Sequence, residues 1–192
     1  MFFIFGETVK NKVINEGVFH CPICKSQQTY IHIREKNYFT LMFIPTFPIS
    51  VHAEYWLCRN CKNTFDPNYL EQPAYFSGLQ MIYAYLINQY GYSLCSTKAK
   101  QLYLEITSFE WQQEAMKSAL VKVGDWDTLV KKLKRHKVTI DYSGRCKIIA
   151  GVIQLIFSME KDSYESRVQI NMLGSYLEVD SVYIDQIIRN YQ

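Results

Sequence analysis

Two Cys-x-x-Cys pairs, Cys21/Cys24 and Cys58/Cys61, constrain this chain more than any other feature. Side chains three positions apart on a tight turn can both grip one metal ion. Two such turns supply four thiolates, the ligand set of a closed tetrahedral zinc site. Pro22 stiffens the first turn, and Lys25 and Lys62 follow the pairs and offset thiolate charge. A disulfide framework would call for an export signal, and Met1 to Phe5, apolar but without a basic n-region or a small-residue cleavage site, is not expected to be one. A thioredoxin-like redox centre would need a single pair in a βαβ setting, and here there are two pairs without that pattern. The expected cofactor is one structural zinc ion, because four protein ligands leave no open position for chemistry.

The sequence between the pairs is rich in strand formers. Tyr30 to Ile33 alternates, Arg34 to Asn37 reads as a polar turn, and Tyr38 to Phe43 resumes the β pattern. Glu54 to Leu57 leads into the second pair. Metal knuckles on hairpins with a small sheet between them form a zinc ribbon, expected over residues 1–65. The 33 residues between Cys24 and Cys58 exceed the compact spacing of roughly 15–20. The stretch Phe43 to Ile49 is expected to cap the ribbon's apolar face or dock on the second domain. The competing reading is an exposed aromatic-proline loop that grips a partner.

Residues 66–73 read as a linker, after which the apolar period changes to that of helices. Leu79, Ile82, Tyr83, Leu86 and Tyr90 mark a first helix ended by Gly91, and a shorter helix is predicted over Thr97 to Ile106. Thr107-x-x-Glu110 reads as a capping box. Further helices follow around Met116 to Val123, after Asp125, over Ile148 to Phe157, over Ser163 to Leu177 and after Asp180. The predicted fold class is therefore α+β: a small β zinc ribbon, then an all-α bundle of six or seven helices over 74–192.

Two resemblances follow from these residues. Residues 2–61 resemble a family of small bacterial and eukaryotic zinc-ribbon proteins. The shared features are Phe3 to Gly6, the Cys-Pro-x-Cys pair, Phe43 to Ile49 and the closing Cys-x-x-Cys. That resemblance implies a fold and a metal more than an activity. Residues 74–192 are similar to the TerB-like helical domain of tellurite resistance, above all at Ile148–Phe157, Glu160-Lys161-Asp162, Glu165 and Asp180–Ile188. The family's loop usually carries Asp-Gly where this chain has Glu160-Lys161. TerB-like domains are associated with acidic metal sites and with membrane-linked stress or defence complexes.

Charge marks two further candidate sites. Residues 117–147 carry nine Lys/Arg against three Asp/Glu, centred on Lys131, Lys132, Lys134, Arg135 and Lys137. This stretch is either a solvated helix face or a contact for phosphates, anionic lipid or an acidic protein surface. Glu160, Asp162 and Glu165 are either an oxygen-ligand cluster for a hard cation such as calcium, or Asp162 or Ser163 caps the next helix and Glu165 complements its dipole in the first turn. The ribbon's formal charge of +3 falls to about +1 once four thiolates and one zinc ion are counted, so it makes little electrostatic claim on phosphates as a whole.

No nucleophile–base pair, phosphate-cradling glycine loop or paired-carboxylate site is present, and a non-enzymatic role is expected. The most apolar stretch, Tyr38 to Val51, is broken by Pro45 and Pro48 and is too short for a bilayer. Reduced cysteines and no signal point to the cytoplasm. The expected function is an adaptor or scaffold with a protein partner in a larger, stress- or defence-related assembly. The alternative is nucleic-acid binding through the ribbon and the Lys131–Lys137 helix. Cys95 and Cys146 are read as small buried hydrophobes.

Overall fold

Alternating and β-branched residues build three long strands before the first helix. In the computed structural model, which describes residues 5–66 and 72–191, these are β1 (Phe5–Cys21), β2 (Ser26–Leu41) and β3 (Ile44–Cys58). A two-residue strand, β4 (Thr64–Phe65), closes an antiparallel sheet in the order β1-β2-β3-β4. The first two residues of the Phe3 to Gly6 motif, and most of the expected linker, lie outside the described residues.

The predicted turn at Arg34 to Asn37 is not there. Arg34 pairs with Lys12 and Glu54, and Asn37 pairs with Val9 and Ser50, so the strand runs straight through. Polar residues are tolerated because the sheet exposes both faces along much of its length. Their charges are used across strands: Arg34 grips Glu54 with two teeth at 2.8 and 2.9 Å, and the Tyr55 hydroxyl donates to Glu35 at 2.8 Å. The chain reverses at Met42 and Phe43 instead. Leu41 pairs with Ile44, and both intervening residues have positive φ, 50° and 66°. This is a two-residue turn of the kind that matches strand twist and that Asn-Gly adopts most easily. Bulky side chains there carry a cost of about 1–2 kcal/mol per residue.

The stretch Phe43 to Ile49 therefore does not fold back over the ribbon's apolar residues. It forms the hairpin tip and the start of β3. Phe43 is 78% exposed and Ile44 67%, while Phe47 stacks on Phe39 with ring centroids 5.1 Å apart.

The chain divides into two units, Met1–Ala74 and Tyr75–Gln192. Among the described residues the second holds seven α-helices: α1 (Tyr75–Tyr90), α2 (Tyr92–Thr107), α3 (Gln113–Lys122), α4 (Trp126–His136), α5 (Tyr142–Ser158), α6 (Tyr164–Leu177) and α7 (Ser181–Arg189). The architecture is α+β, as the change of period predicts. The apolar run from Ile148 to Phe157 lies in α5, which packs against α1, α2, α6 and α7. Ile148, Ile149, Val152, Ile153 and Leu155 are fully buried. Where α5 crosses α1, the Tyr83 hydroxyl donates to the Gly151 carbonyl at 3.0 Å. A Cβ at Gly151 would lie 2.9 Å from that hydroxyl, so only glycine allows the approach.

Helix ends follow the caps read from sequence at Asp125, Ser163 and Asp180, each accepting a backbone N–H of the first turn. Two expectations fail. Helix α2 starts at Tyr92, directly after Gly91, whose φ of 98° turns the chain without a linker. Thr107 does not begin a capping box. Its hydroxyl donates to the Tyr103 carbonyl and accepts from the Phe109 amide, which closes the end of α2, and α3 begins later, at Gln113.

Candidate metal centre

Both cysteine pairs sit on tight turns of the same design. β1 ends at Cys21, and Lys25 N–H returns to the Cys21 carbonyl at 2.8 Å with Lys25 in the left-handed conformation, φ 53°. β3 ends at Cys58, and Lys62 N–H returns to the Cys58 carbonyl at 3.0 Å with φ 59°. The Arg59 amide donates to the Thr29 carbonyl of β2 at 2.9 Å and ties the second turn to the first hairpin.

The sulfurs of Cys21, Cys24, Cys58 and Cys61 all lie within 4.8 Å of one another. Cys21 Sγ is 3.7 Å from Cys61 Sγ, and Cys24 Sγ is 4.0 Å from Cys58 Sγ. Four sulfurs around one zinc ion at about 2.3 Å would stand about 3.8 Å apart at tetrahedral angles. The donor set, its spacing and its number therefore fit a four-thiolate zinc site. All four cysteines are free of disulfides. Cys21 and Cys58 are fully buried, beneath Phe19, Ile23, Trp56 and Phe65. Phe19 meets Phe65 edge-on at 5.3 Å.

The surroundings also prepare individual sulfurs. Burial pushes the Cys21 thiol up to about 12 and raises that of Cys61. At Cys24 burial works in the same direction but is outweighed, first by the Asn60 side chain, whose Nδ2 donates to Cys24 Sγ at 3.3 Å, and then by the neighbouring cysteines. A bound zinc ion would hold all four as thiolates. The chain's own part is to present the sulfurs, keep water from two of them and supply an amide donor to a third.

The other sequence candidates are placed as follows. His20 is exposed beside the cluster, and His32 bonds Glu54 at 2.8 Å. In the basic stretch, Lys131, Lys134 and Arg135 are exposed on α4 and Lys132 is half-buried. Lys134 lies over the Tyr176 ring at 5.3 Å. Lys137 pairs with Glu178 at 2.7 Å, which also receives Arg145 at 3.0 Å. Asp162 is held by Arg167 at 2.8 and 2.6 Å, Ser163 caps α6 in a capping box with Ser166, and Glu165 stands in the first turn. Cys95 and Cys146 are buried, and burial pushes the Cys95 thiol up to about 12.

A family model described as a zinc-ribbon family matches residues 19–101. The match takes in both cysteine pairs and the long hairpin between them, and runs on through α1 into α2. The N-terminal unit is similar to zinc ribbons. No curated protein matches the chain, and no solved structure does. The matched region and the clustered sulfurs together point to zinc binding at Cys21, Cys24, Cys58 and Cys61. Among the described residues, no helix is long and apolar enough to cross a membrane.

Proposed function

We propose that this chain is a non-enzymatic zinc-binding adaptor that joins protein partners in a larger cytoplasmic assembly. One observation carries the reading: four clustered sulfurs lie at the base of a hairpin that presents Met42, Phe43, Ile44 and Phe47 to solvent. Apolar side chains held outward on a strained turn are poor solubility chemistry and good contact chemistry. The zinc is structural, one ion per chain, and fixes the base from which the hairpin projects. The helical bundle is the second module, and its TerB-like resemblance points to the stress or defence kind of assembly.

The test is purification of the tagged, zinc-loaded chain from its host, beside a Phe43→Ser/Phe47→Ser variant. A stoichiometric protein partner should stay bound from roughly 50 to 500 mM salt, because screening hardly touches apolar contacts. The variant should lose it. Absence of any stoichiometric protein from the wild-type chain would reject the adaptor role.

A further inference from the structure

The near-neutral charge of the ribbon conceals a sorted distribution. Alternation along a strand sends successive side chains to opposite faces, and directly paired residues share a face. Lys10 pairs with Lys36, and Lys12 pairs with Arg34. Lys10 and Lys12 are two residues apart on β1, as are Arg34 and Lys36 on β2, so all four cations stand together on one face. Glu7 pairs with Phe39, Glu16 with Ile31 and Glu35 with Asn11, which puts those three carboxylates on the other face. Glu54 shares the cationic face and is spent on Arg34 and His32. Among the described residues no ion pair reaches Lys10, Lys12 or Lys36.

Like charges directly opposite each other destabilise a sheet. Here two such pairs are adjacent, with Glu54 beside Arg34 on β3 and solvent around Lys10 and Lys12. The same face is aromatic at both ends of the block. Tyr38 lies beside Lys10, whose Nζ is 5.8 Å from the ring centre. In the other direction come His32, Trp56 and Tyr30, the last two stacked at 3.8 Å with planes 2° apart. Gly17 makes room for this arrangement, since a Cβ there would meet the Tyr30 ring at 2.8 Å.

We propose that this face binds single-stranded nucleic acid, with Lys10, Lys12 and Lys36 on phosphates and Tyr38 stacking against a base. The dimensions favour one strand. Side chains two residues apart on a strand are separated by about 6.6 Å and neighbouring strands by about 4.8 Å, so the block tracks a single backbone. It is too narrow to meet both backbones across a major groove of about 12 Å. The Tyr38 ring favours a nucleic acid over an acidic peptide, because each base offers a π-face to stack on and a carboxylate does not.

The probe is a fluorescein-labelled oligothymidylate of about 15 nucleotides, titrated with the zinc-loaded full chain and read by anisotropy. Between roughly 50 and 200 mM salt the logarithm of the affinity should fall with a slope of about −2, as three single-strand phosphate contacts require. Lys10→Gln/Lys12→Gln/Lys36→Gln should weaken binding at least about tenfold at low salt and remove about 2 from the slope. Because it relieves like-charge pairs, this variant should melt no lower than the wild type, which separates lost binding from lost folding. Tyr38→Ala should weaken binding roughly fivefold or more with the slope unchanged.

Three results would overturn the proposal. One is no binding of the probe at low salt. Another is loss of binding in Lys131→Gln/Lys132→Gln/Arg135→Gln with full binding by the sheet variant, which would move the site to the bundle. The third is displacement of the probe by polyglutamate at equal charge concentration, together with an indifferent Tyr38→Ala, which would make the face a surface for any polyanion.

Discussion

The two units of this chain are held together by different means. The helical unit buries side chains from every one of its helices, among them Leu79, Ile82, Tyr83, Met116, Leu129, Ile153 and Leu173. The ribbon's buried cluster is Cys21, Cys58 and Phe65 with a few partly buried neighbours, all at the cysteine end. Farther along the sheet, Phe5, Val9, Val13, Ile44 and Val51 are exposed. The helical unit is an ordinary solution to folding, in which apolar burial offsets chain entropy. A sheet with so little core needs something else, and the four sulfurs supply the place for it.

Metal removal is the strongest way to break this contrast. Structural zinc contributes about 10–16 kcal/mol of apparent binding free energy, which in such a module is folding free energy. A chelator, or Cys58→Ser, should abolish the ordered ribbon and leave the helical circular dichroism near its starting value. Simultaneous loss of both signals would mean that the units do not fold separately. The converse is Leu79→Ala, which should cost the bundle about 2–5 kcal/mol while zinc content stays at one ion per chain. Zinc loss in that variant would tie the metal site to the bundle core.

A smaller effect of opposite sign is expected at the hairpin tip. Met42→Asn/Phe43→Gly places residues suited to positive φ on the turn and should stabilise the zinc-loaded ribbon by about 1–2 kcal/mol, measured by its melting. A less stable variant would show that the apolar pair contributes contacts outweighing its backbone cost. The smallest effect concerns Glu54, whose carboxyl is held below the ordinary carboxylate range, first by the hydrogen bonds from Arg34 and then by that from His32 against the opposing cost of burial. A depressed folded value means its contribution is complete above the ordinary range of about 4.3 and is lost as pH falls through the folded value. Glu54→Gln should therefore lower the ribbon's melting temperature at neutral pH, and the difference should shrink on acidification. A difference that grows in acid would reverse the assignment.

The contrast also explains what could be read from sequence. Cysteine spacing announces the metal site because ligand chemistry allows few alternatives. Ile148 to Phe157 announces a buried helix because helices with a core carry their period openly. The ribbon shows its plan less openly. Arg34 to Asn37 looks like a turn because polar residues usually mark one, and nothing local reveals that Glu54 and Val9 will pair beside them. The segregation of Lys10, Lys12 and Lys36 from Glu7, Glu16 and Glu35 depends on register, including the shift between Val13 and Asn15. Register is a property of the paired strands and is absent from a charge count. At Thr107, a hydroxyl that closes one helix carries the same pattern as one that opens the next.

The length of the middle strand has a mechanical consequence. Sixteen residues of β2 at about 3.3 Å each amount to a beam of about 50 Å, clamped by the cysteine turns at one end and tipped by Phe43 at the other. A tilt of about 5° at the clamp sweeps that tip through about 4–5 Å, close to one strand spacing. Any change of angle at the cysteine end is thereby magnified at Phe43 and Ile44, the side chains farthest from the four sulfurs.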